Sequence, residues 1–269
     1  MEGFLSTQIH WDWRLLTETL FNQVLQQKNC AYYSNLRLNS LIFHLNMENI
    51  LPIQLRTNFK SDTNLVSRIL ELTNKSYVTN TQLIEREIEH NSDIYIITND
   101  QEELLAFFMV NFEQVIGIDS YYLGLSACRD DLKGNGLGKS LYLDFLKNCR
   151  EKEIQAQKKF LLWWTTATPI VYYWFNKYVS NVQPDMNGNF DAYGRNIVES
   201  IIKEKFPELE IDERHPFILR SVAENTVYSF NEQQRLIQAT ENLGMDVFQR
   251  FNLREENADR FLMFGYAPD

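Results

Sequence analysis

Apolar positions along the chain alternate between two periods, and each switch marks a new element. Between residues 8 and 50 the period is helical. Trp11, Leu15, Leu16, Leu20, Val24 and Leu25 fall on one helical face, and a second helical run covers residues 36–47. This stretch reads as a helical N-terminal extension (residues 1–51) that packs on a main domain, with a lid or a dimer contact as the sharper alternative. From residue 53 to 58 the pattern alternates every second position, as in a half-buried strand. Asp62-Thr63 then offers a helix N-cap ahead of Leu65, Ile69, Leu70 and Leu72. Thr79-x-Thr81 opens a second short helix that runs through His90. Residues 93–98 (DIYIIT) and 103–112 (ELLAFFMVNF) are apolar runs separated by the turn signal Asn99-Asp100-Gln101-Glu102, which predicts a hairpin. Residues 121–128 (YYLGLSAC) read as a further strand.

The second half continues the alternation. A glycine-rich segment leads into a long helix, 137–157, and residues 160–166 (FLLWWTT) form a buried strand. Pro169 stands at the first turn of another helix, where its missing N–H costs nothing. Residues 181–189, rich in Asn, Asp, Pro and Gly, read as a loop, and 191–206 as a helix. Strands at 217–222 and 261–266 flank a helix at 231–251. Low-complexity tracts and internal repeats are absent. The order of elements predicts an α/β domain with a mixed sheet.

Composition narrows the classes. Of the 269 residues 44% are hydrophobic and 13% aromatic, so the chain has enough apolar surface to offset its ordering entropy. A net charge of -10 repels phosphate backbones and argues against nucleic-acid binding, without excluding a local basic pocket for a small anion. Acidic surface also favours cationic partners such as amines. Cys30, Cys128 and Cys149 are odd in number and far apart, and His10, His44, His90 and His215 are scattered; neither a disulfide framework nor a metal site is expected. There is no apolar run of membrane-spanning length and no signal-peptide pattern at Met1-Glu2-Gly3. The expectation is a cytoplasmic protein without membrane or nucleic-acid partners, its oligomeric state open.

The chemistry concentrates in Asp130-Asp131-Leu132-Lys133-Gly134-Asn135-Gly136-Leu137-Gly138-Lys139-Ser140-Leu141. Glycines between a strand and a helix allow positive φ and close approach of a ligand. The helix start adds unpaired N–H groups and a positive dipole end, which suit phosphate. A Walker A loop needs four residues between its first Gly and Gly-Lys-Ser; Gly134 leaves three before Gly138-Lys139-Ser140. A dinucleotide fingerprint needs G-x-G-x-x-G, whereas Gly134, Gly136 and Gly138 give G-x-G-x-G. A structural turn with no ligand is the bland alternative.

Lys133 to Gly138 does match R/Q-x-x-G-x-G/A with Lys in first place, and in this it resembles the pyrophosphate arm of the GNAT (Gcn5-related N-acetyltransferase) superfamily. The resemblance covers residues 52–179, with the strands at 217–222 and 261–266 as the fold's final pair, separated by an inserted helix near 230–251, and with a further helical insertion near 190–210. It implies a GNAT-like domain over 52–269, with a mixed, mostly antiparallel central sheet flanked by helices. It further implies that Lys133, Gly134, Asn135, Gly136, Gly138 and Lys139 hold the CoA pyrophosphate. A strand bulge at Ala127-Cys128 would aim an amide at the thioester carbonyl, and the pantetheine would lie between that strand and 160–166. Thr168 takes the place of the Asn in the family pattern Asn-x-x-Ala-x-x-x-Tyr, which puts Phe175 where the family has its acidic Tyr. Tyr172, three residues earlier on a similar face, is the expected replacement, with Tyr173 next, although both also suit simple packing.

The implied reaction is acyl transfer, most simply acetyl, from acyl-CoA to a primary amine by direct attack in a ternary complex, with no metal. The amine must lose a proton, and Glu113 or Asp119, at strand ends flanking the acceptor cleft, are the candidate bases. Cys128 fits a small buried side chain better than a nucleophile. The cluster Phe107, Phe108, Phe112, Trp163, Trp164, Tyr172, Tyr173, Trp174 and Phe175 is core or, alternatively, a wide apolar cleft. The second of these would suit a long-chain acyltransferase acting on a Lys or ornithine side chain of a peptide. A non-catalytic CoA-binding or interaction module is the remaining alternative.

Overall fold

The computed structural model of the chain describes residues 51–78, 81–223, 227–243 and 247–268. The helices expected between residues 8 and 50 lie outside them. Strand β1 (Ile53–Thr57) leads into helix α1 (Thr63–Asn74), whose N-terminus is capped as expected: the Asp62 carboxylate accepts from the Leu65 N–H at 2.9 Å. A two-residue strand β2 (Tyr77–Val78) separates it from α2 (Thr81–His90). Strands β3 (Asp93–Thr98) and β4 (Leu104–Val115) form the predicted hairpin. In its turn the Asn99 side-chain oxygen accepts from the N–H groups of Gln101 and Glu103.

Strand β5 (Ile118–Cys128), helix α3 (Leu137–Ala156), strand β6 (Leu161–Thr166) and helix α4 (Pro169–Tyr178) follow in the expected order. Then come β7 (Ser180–Gln183), α5 (Ala192–Lys205), β8 (Ile218–Leu219), β9 (Val227–Tyr228), α6 (Phe230–Leu243), α7 (Val247–Arg250) and β10 (Arg260–Tyr266).

The main sheet runs β1-β3-β4-β5-β6-β10-β7, with β8 also on β10, and β2 pairs β9 separately. All these pairings are antiparallel except β5 with β6, so the sheet is mixed and mostly antiparallel, as expected of a GNAT-like fold. Helices α1 and α2 bury Leu65, Ile69, Leu72, Ile84 and Ile88 on one face, against Ile94, Ile96, Phe107 and Met109. Helix α3 covers the opposite face, where Tyr142 and Phe145 make edge contacts with Phe108.

Three expectations need correction. Residues 181–189 do not form a loop throughout, since β7 occupies their start. Its polar composition hides a pairing set from afar, Phe264 with Gln183 and Tyr266 with Ser180. Residues 217–222 give only the two-residue β8, because Ser221 turns to φ 54° and its N–H leaves the ladder for the Asp259 carboxylate at 3.1 Å. The helix expected at 231–251 is two, α6 and α7.

Candidate active site

The parallel pair β5–β6 holds register only from Ser120–Leu161 to Leu123–Trp164. Beyond it, β5 stays with β4 and β6 with β10, and the two strands part. The split opens a cleft of about 1110 Å³. Residues 124–128 form one wall and Thr165, Thr166 and Thr168 the other.

The bulge in β5 lies at the head of this split. Phe108 pairs with Ser126 and Val110 with Leu123, which leaves Met109 facing both Gly124 and Leu125. It was expected at Ala127-Cys128, but those residues pair regularly with Phe107 and Ala106. The cause is packing from α2. The carboxamide of buried Asn91 lies on the backbone at Gly124, where a Cβ would meet Asn91 Cγ at 2.8 Å.

At the other end is the glycine-rich loop. Gly134 and Gly136 hold φ of 86° and 85°, and nothing lies within 4 Å of a Cβ built on either, so the turn is open to a ligand. Gly136 caps α3 without a side chain, and the first helical bond runs from the Ser140 N–H to the Gly136 carbonyl at 2.9 Å. The N–H groups of Leu137, Gly138 and Lys139 precede that bond and are left for an anion. Among the expected cofactor residues Ala127, Cys128, Lys133, Gly134, Gly136, Gly138, Lys139 and Thr168 line the cleft; Asn135 does not. From Cys128 back to Gly124 is about 13 Å at strand rise, the scale of an extended pantetheine arm. Lys133 Nζ contacts Glu232 at 2.6 Å and Ser76 Oγ at 3.1 Å. Thr168 Oγ1 lies 2.7 Å from the Tyr228 hydroxyl, whose ring stacks on Tyr77 at 4.9 Å, so the β2–β9 ladder borders the cleft.

Near the bulge the cleft wall is polar. Glu87 of α2 accepts from the Tyr122 hydroxyl at 3.1 Å, from Asn91 Nδ2 at 3.2 Å and from the Leu125 N–H of the bulge. Burial holds its carboxyl above the ordinary glutamate range, and the three donors partly offset this. The His90 ring stands edge-on to Tyr122 at 5.2 Å. Burial, with Lys205 and Lys60, lowers its pKa against the pull of Glu113, so its 3.8 Å approach to Glu113 is a contact of neutral imidazole near pH 7.

Glu113 reaches this wall only through its partners. It bonds Lys205 Nζ at 3.0 Å and its Oε1 is buried without a partner; His90 and Lys205 line the cleft, Glu113 does not. Asp119 is tied to Lys158 and Gln114, away from the cleft. The two tyrosines expected to act as acid are also off the cleft. The Tyr172 hydroxyl donates to the backbone carbonyls of Pro184 and Asp185, and its ring packs on Phe248 and Phe261. The Tyr173 hydroxyl accepts from Lys177 Nζ at 3.2 Å. The reason is helix phase: α4 presents Ile170, Val171 and Trp174 to the cleft, which leaves Tyr172 and Phe175 on the buried side. Burial pushes the Cys128 thiol up to about 11, so it is protonated at neutral pH.

Glu87 is the site residue that sequence reasoning missed. Its segment, Glu85-Arg86-Glu87-Ile88-Glu89-His90, has the look of a solvated helix face, and only the packing of α2 over β5 singles it out.

No family model matches the chain, and no curated protein matches it. Similar solved structures exist. The GNAT family N-acetyltransferase YhbS of Escherichia coli, in complex with CoA, is 18% identical over 46% of this chain and 68% of its own, with a TM-score of 0.36. The ribosomal-protein-S18-alanine N-acetyltransferase of Escherichia coli is 12% identical over 81% of this chain and 96% of its own, with a TM-score of 0.38. A histone acetyltransferase and related acetyltransferase of Corynebacterium glutamicum is 10% identical over 46% and 82%, with a TM-score of 0.35. What the chain shares with these N-acetyltransferases is a likeness of fold.

Proposed function

We propose that the chain is a CoA-dependent N-acyltransferase whose donor lies in the split between β5 and β6. One observation carries this reading: a cleft that starts at an open, glycine-capped helix N-terminus ends at a strand bulge beside a half-buried carboxylate. The loop amides from Gly134 to Lys139 would hold phosphate oxygens. The backbone of residues 124–128 would pair with the amides of the pantetheine arm. The Leu125 N–H, at the bulge, donates to Glu87 and so holds that carboxylate at the head of the cleft, where the acyl group would meet the amine. Glu87, raised toward neutrality by burial, would take the proton of the attacking amine, directly or through a water. His90 lines the same wall as a neutral second acceptor. Glu113 is proposed as a positioning residue, acting through His90 and Lys205.

The acceptor is a primary amine, and the acyl group is acetyl in the simplest case. Phe107, Trp163, Trp164 and Trp174 line the cleft, while Phe108, Tyr172 and Phe175 are fully buried. Six of these seven are buried, Phe107, Trp163 and Trp164 among them, so the cluster is mainly core even where it borders the cleft, and the acyl length is decided by titration. Calorimetric titration with acetyl-CoA, decanoyl-CoA and ATP tests the reading, with Gly136→Glu as control. That substitution puts a side chain at φ 85° and a carboxylate in the anion cradle. Micromolar binding of a CoA thioester, lost in the control while the thermal melt is kept, is expected, and the preferred chain fixes the acyl length. Failure of both thioesters to bind would return the glycines to a structural turn.

A further inference from the structure

Helix α6 lies far along the chain from the glycine-rich loop, yet it forms part of the cleft wall. Glu232, Arg235, Leu236 and Ala239 line the cleft at the spacing of one helical face. The two charged members reach the glycine-rich loop. Glu232 lies 2.6 Å from Lys133 Nζ, and both side chains are 17% exposed. Arg235 stands 3.2 Å from Asp130 and 3.2 Å from Glu232, and Asp130 lies 2.8 Å from Lys133. Two cations thus stand by a helix start that has no side-chain cap, and the carboxylate between them comes from a residue 99 positions further along the chain. Asp130 also contacts both cations, so the pair is balanced by one carboxylate of the loop and one brought by α6. The position of Glu232 is that of an anion at an anion site.

We propose that Glu232 holds the place of a donor phosphate, and that Lys133 and Arg235 exchange it for that phosphate when the donor binds, which makes α6 part of the donor site. The proposal rests on the acyl-CoA reading of the cleft. A phosphate brings more charge and more acceptor oxygens than one carboxylate, and two cations with free amides reward both. A donor lacking phosphate cannot make the exchange. Glu232 therefore opposes donor binding in proportion to its charge, and Arg235 favours only phosphate-bearing donors.

The test is calorimetric titration of the full chain, wild type, Glu232→Gln and Arg235→Gln, with CoA and with acetyl-pantetheine, which has no phosphate. Glu232→Gln is expected to bind CoA about fivefold tighter and Arg235→Gln about fivefold to tenfold weaker, the scale of one partly exposed ion pair. Both should bind acetyl-pantetheine as the wild type does. Unchanged or weaker CoA binding by Glu232→Gln would show a structural partner of Lys133 and overturn the exchange. Equal changes for both ligands would trace the effect to helix packing and overturn it too. If wild-type protein binds acetyl-pantetheine but CoA no better, the phosphate role of α6 fails while the thioester cleft stands. If it binds neither, the acyltransferase reading falls with it.

Discussion

Glu87 concentrates the chemistry at the residue scale. A half-buried carboxyl with a raised pKa still releases its proton below the pKa of an amine, so the ionised form is the active base. The rate, kcat/KM, should then rise with pH along a limb above the ordinary carboxylate range. The Tyr122 hydroxyl donates to the ionised form and lowers that pKa. Tyr122→Phe should therefore move the limb to higher pH, and a pH profile of the two proteins checks the sign. Glu87→Gln should cost roughly 10²- to 10⁴-fold in kcat, with CoA affinity unchanged. Wild-type turnover in that variant would remove Glu87 from the mechanism. Cys128 makes the opposite case. Its thiol, raised to about 11 and donating to the Arg129 carbonyl at 3.6 Å, is not a thiolate at neutral pH. Cys128→Ser should keep turnover in a steady-state assay, and a covalent acyl adduct on Cys128 in an intact-mass spectrum would contradict this. At this scale the sequence is legible where a residue's backbone does the work, as at Gly134 and Gly136. It is illegible where packing chooses among like residues, as with Glu87 among Glu85 and Glu89, or Tyr172 in an aromatic run.

The elements were readable wherever their cause is local. The β3–β4 hairpin follows from an Asn-led turn, α1 from its Asp62 cap, and α3 from glycines ahead of a helical pattern. The bulge in β5 has a non-local cause, since Asn91 reaches Gly124 from the end of α2. Gly124→Ala should accordingly drive a methyl into that carboxamide, whose Oδ1 is already buried without a partner. A loss of about 1–3 kcal/mol in urea unfolding is expected from such overpacking. Donor affinity should fall with it, because the same contact sets the strand backbone proposed to pair with the pantetheine arm; unchanged stability would mean that Asn91 moves aside freely. Glu153 offers a control far from the cleft. Its buried carboxylate accepts from the Phe160 N–H at 2.8 Å and meets Arg150 at 3.2 Å, which ties the end of α3 to the start of β6. Glu153→Ala should cost about 1–3 kcal/mol by leaving that N–H unpaired, with CoA affinity intact.

For the whole molecule, sheet order explains why the late part of the chain was hardest to read. Strand β10 inserts between β6 and β7, so it is interior to the sheet though last in sequence. Phe261, Leu262, Met263 and Phe264 are fully buried there. Between β7 and β10 the chain makes α5, α6 and α7, and α6 returns to the donor cleft. Every strand of the sheet and every described core residue comes from the unit Leu51–Asp269. This separates two truncations. Removing residues 1–50 takes away none of the described strands, so the remaining 51–269 should show a single cooperative thermal transition and bind CoA like the full chain. Removing residues 260–269 leaves β6 and β7 without the strand that joins them and exposes the apolar faces it covered. That protein should have no cooperative melt, because no local interaction replaces an interior strand paired on both sides. Circular dichroism melts of the two truncations decide the matter. A chain ending at residue 259 that still melts cooperatively would mean the fold is held by β1 to β6 alone, with β10 an addition to a finished core.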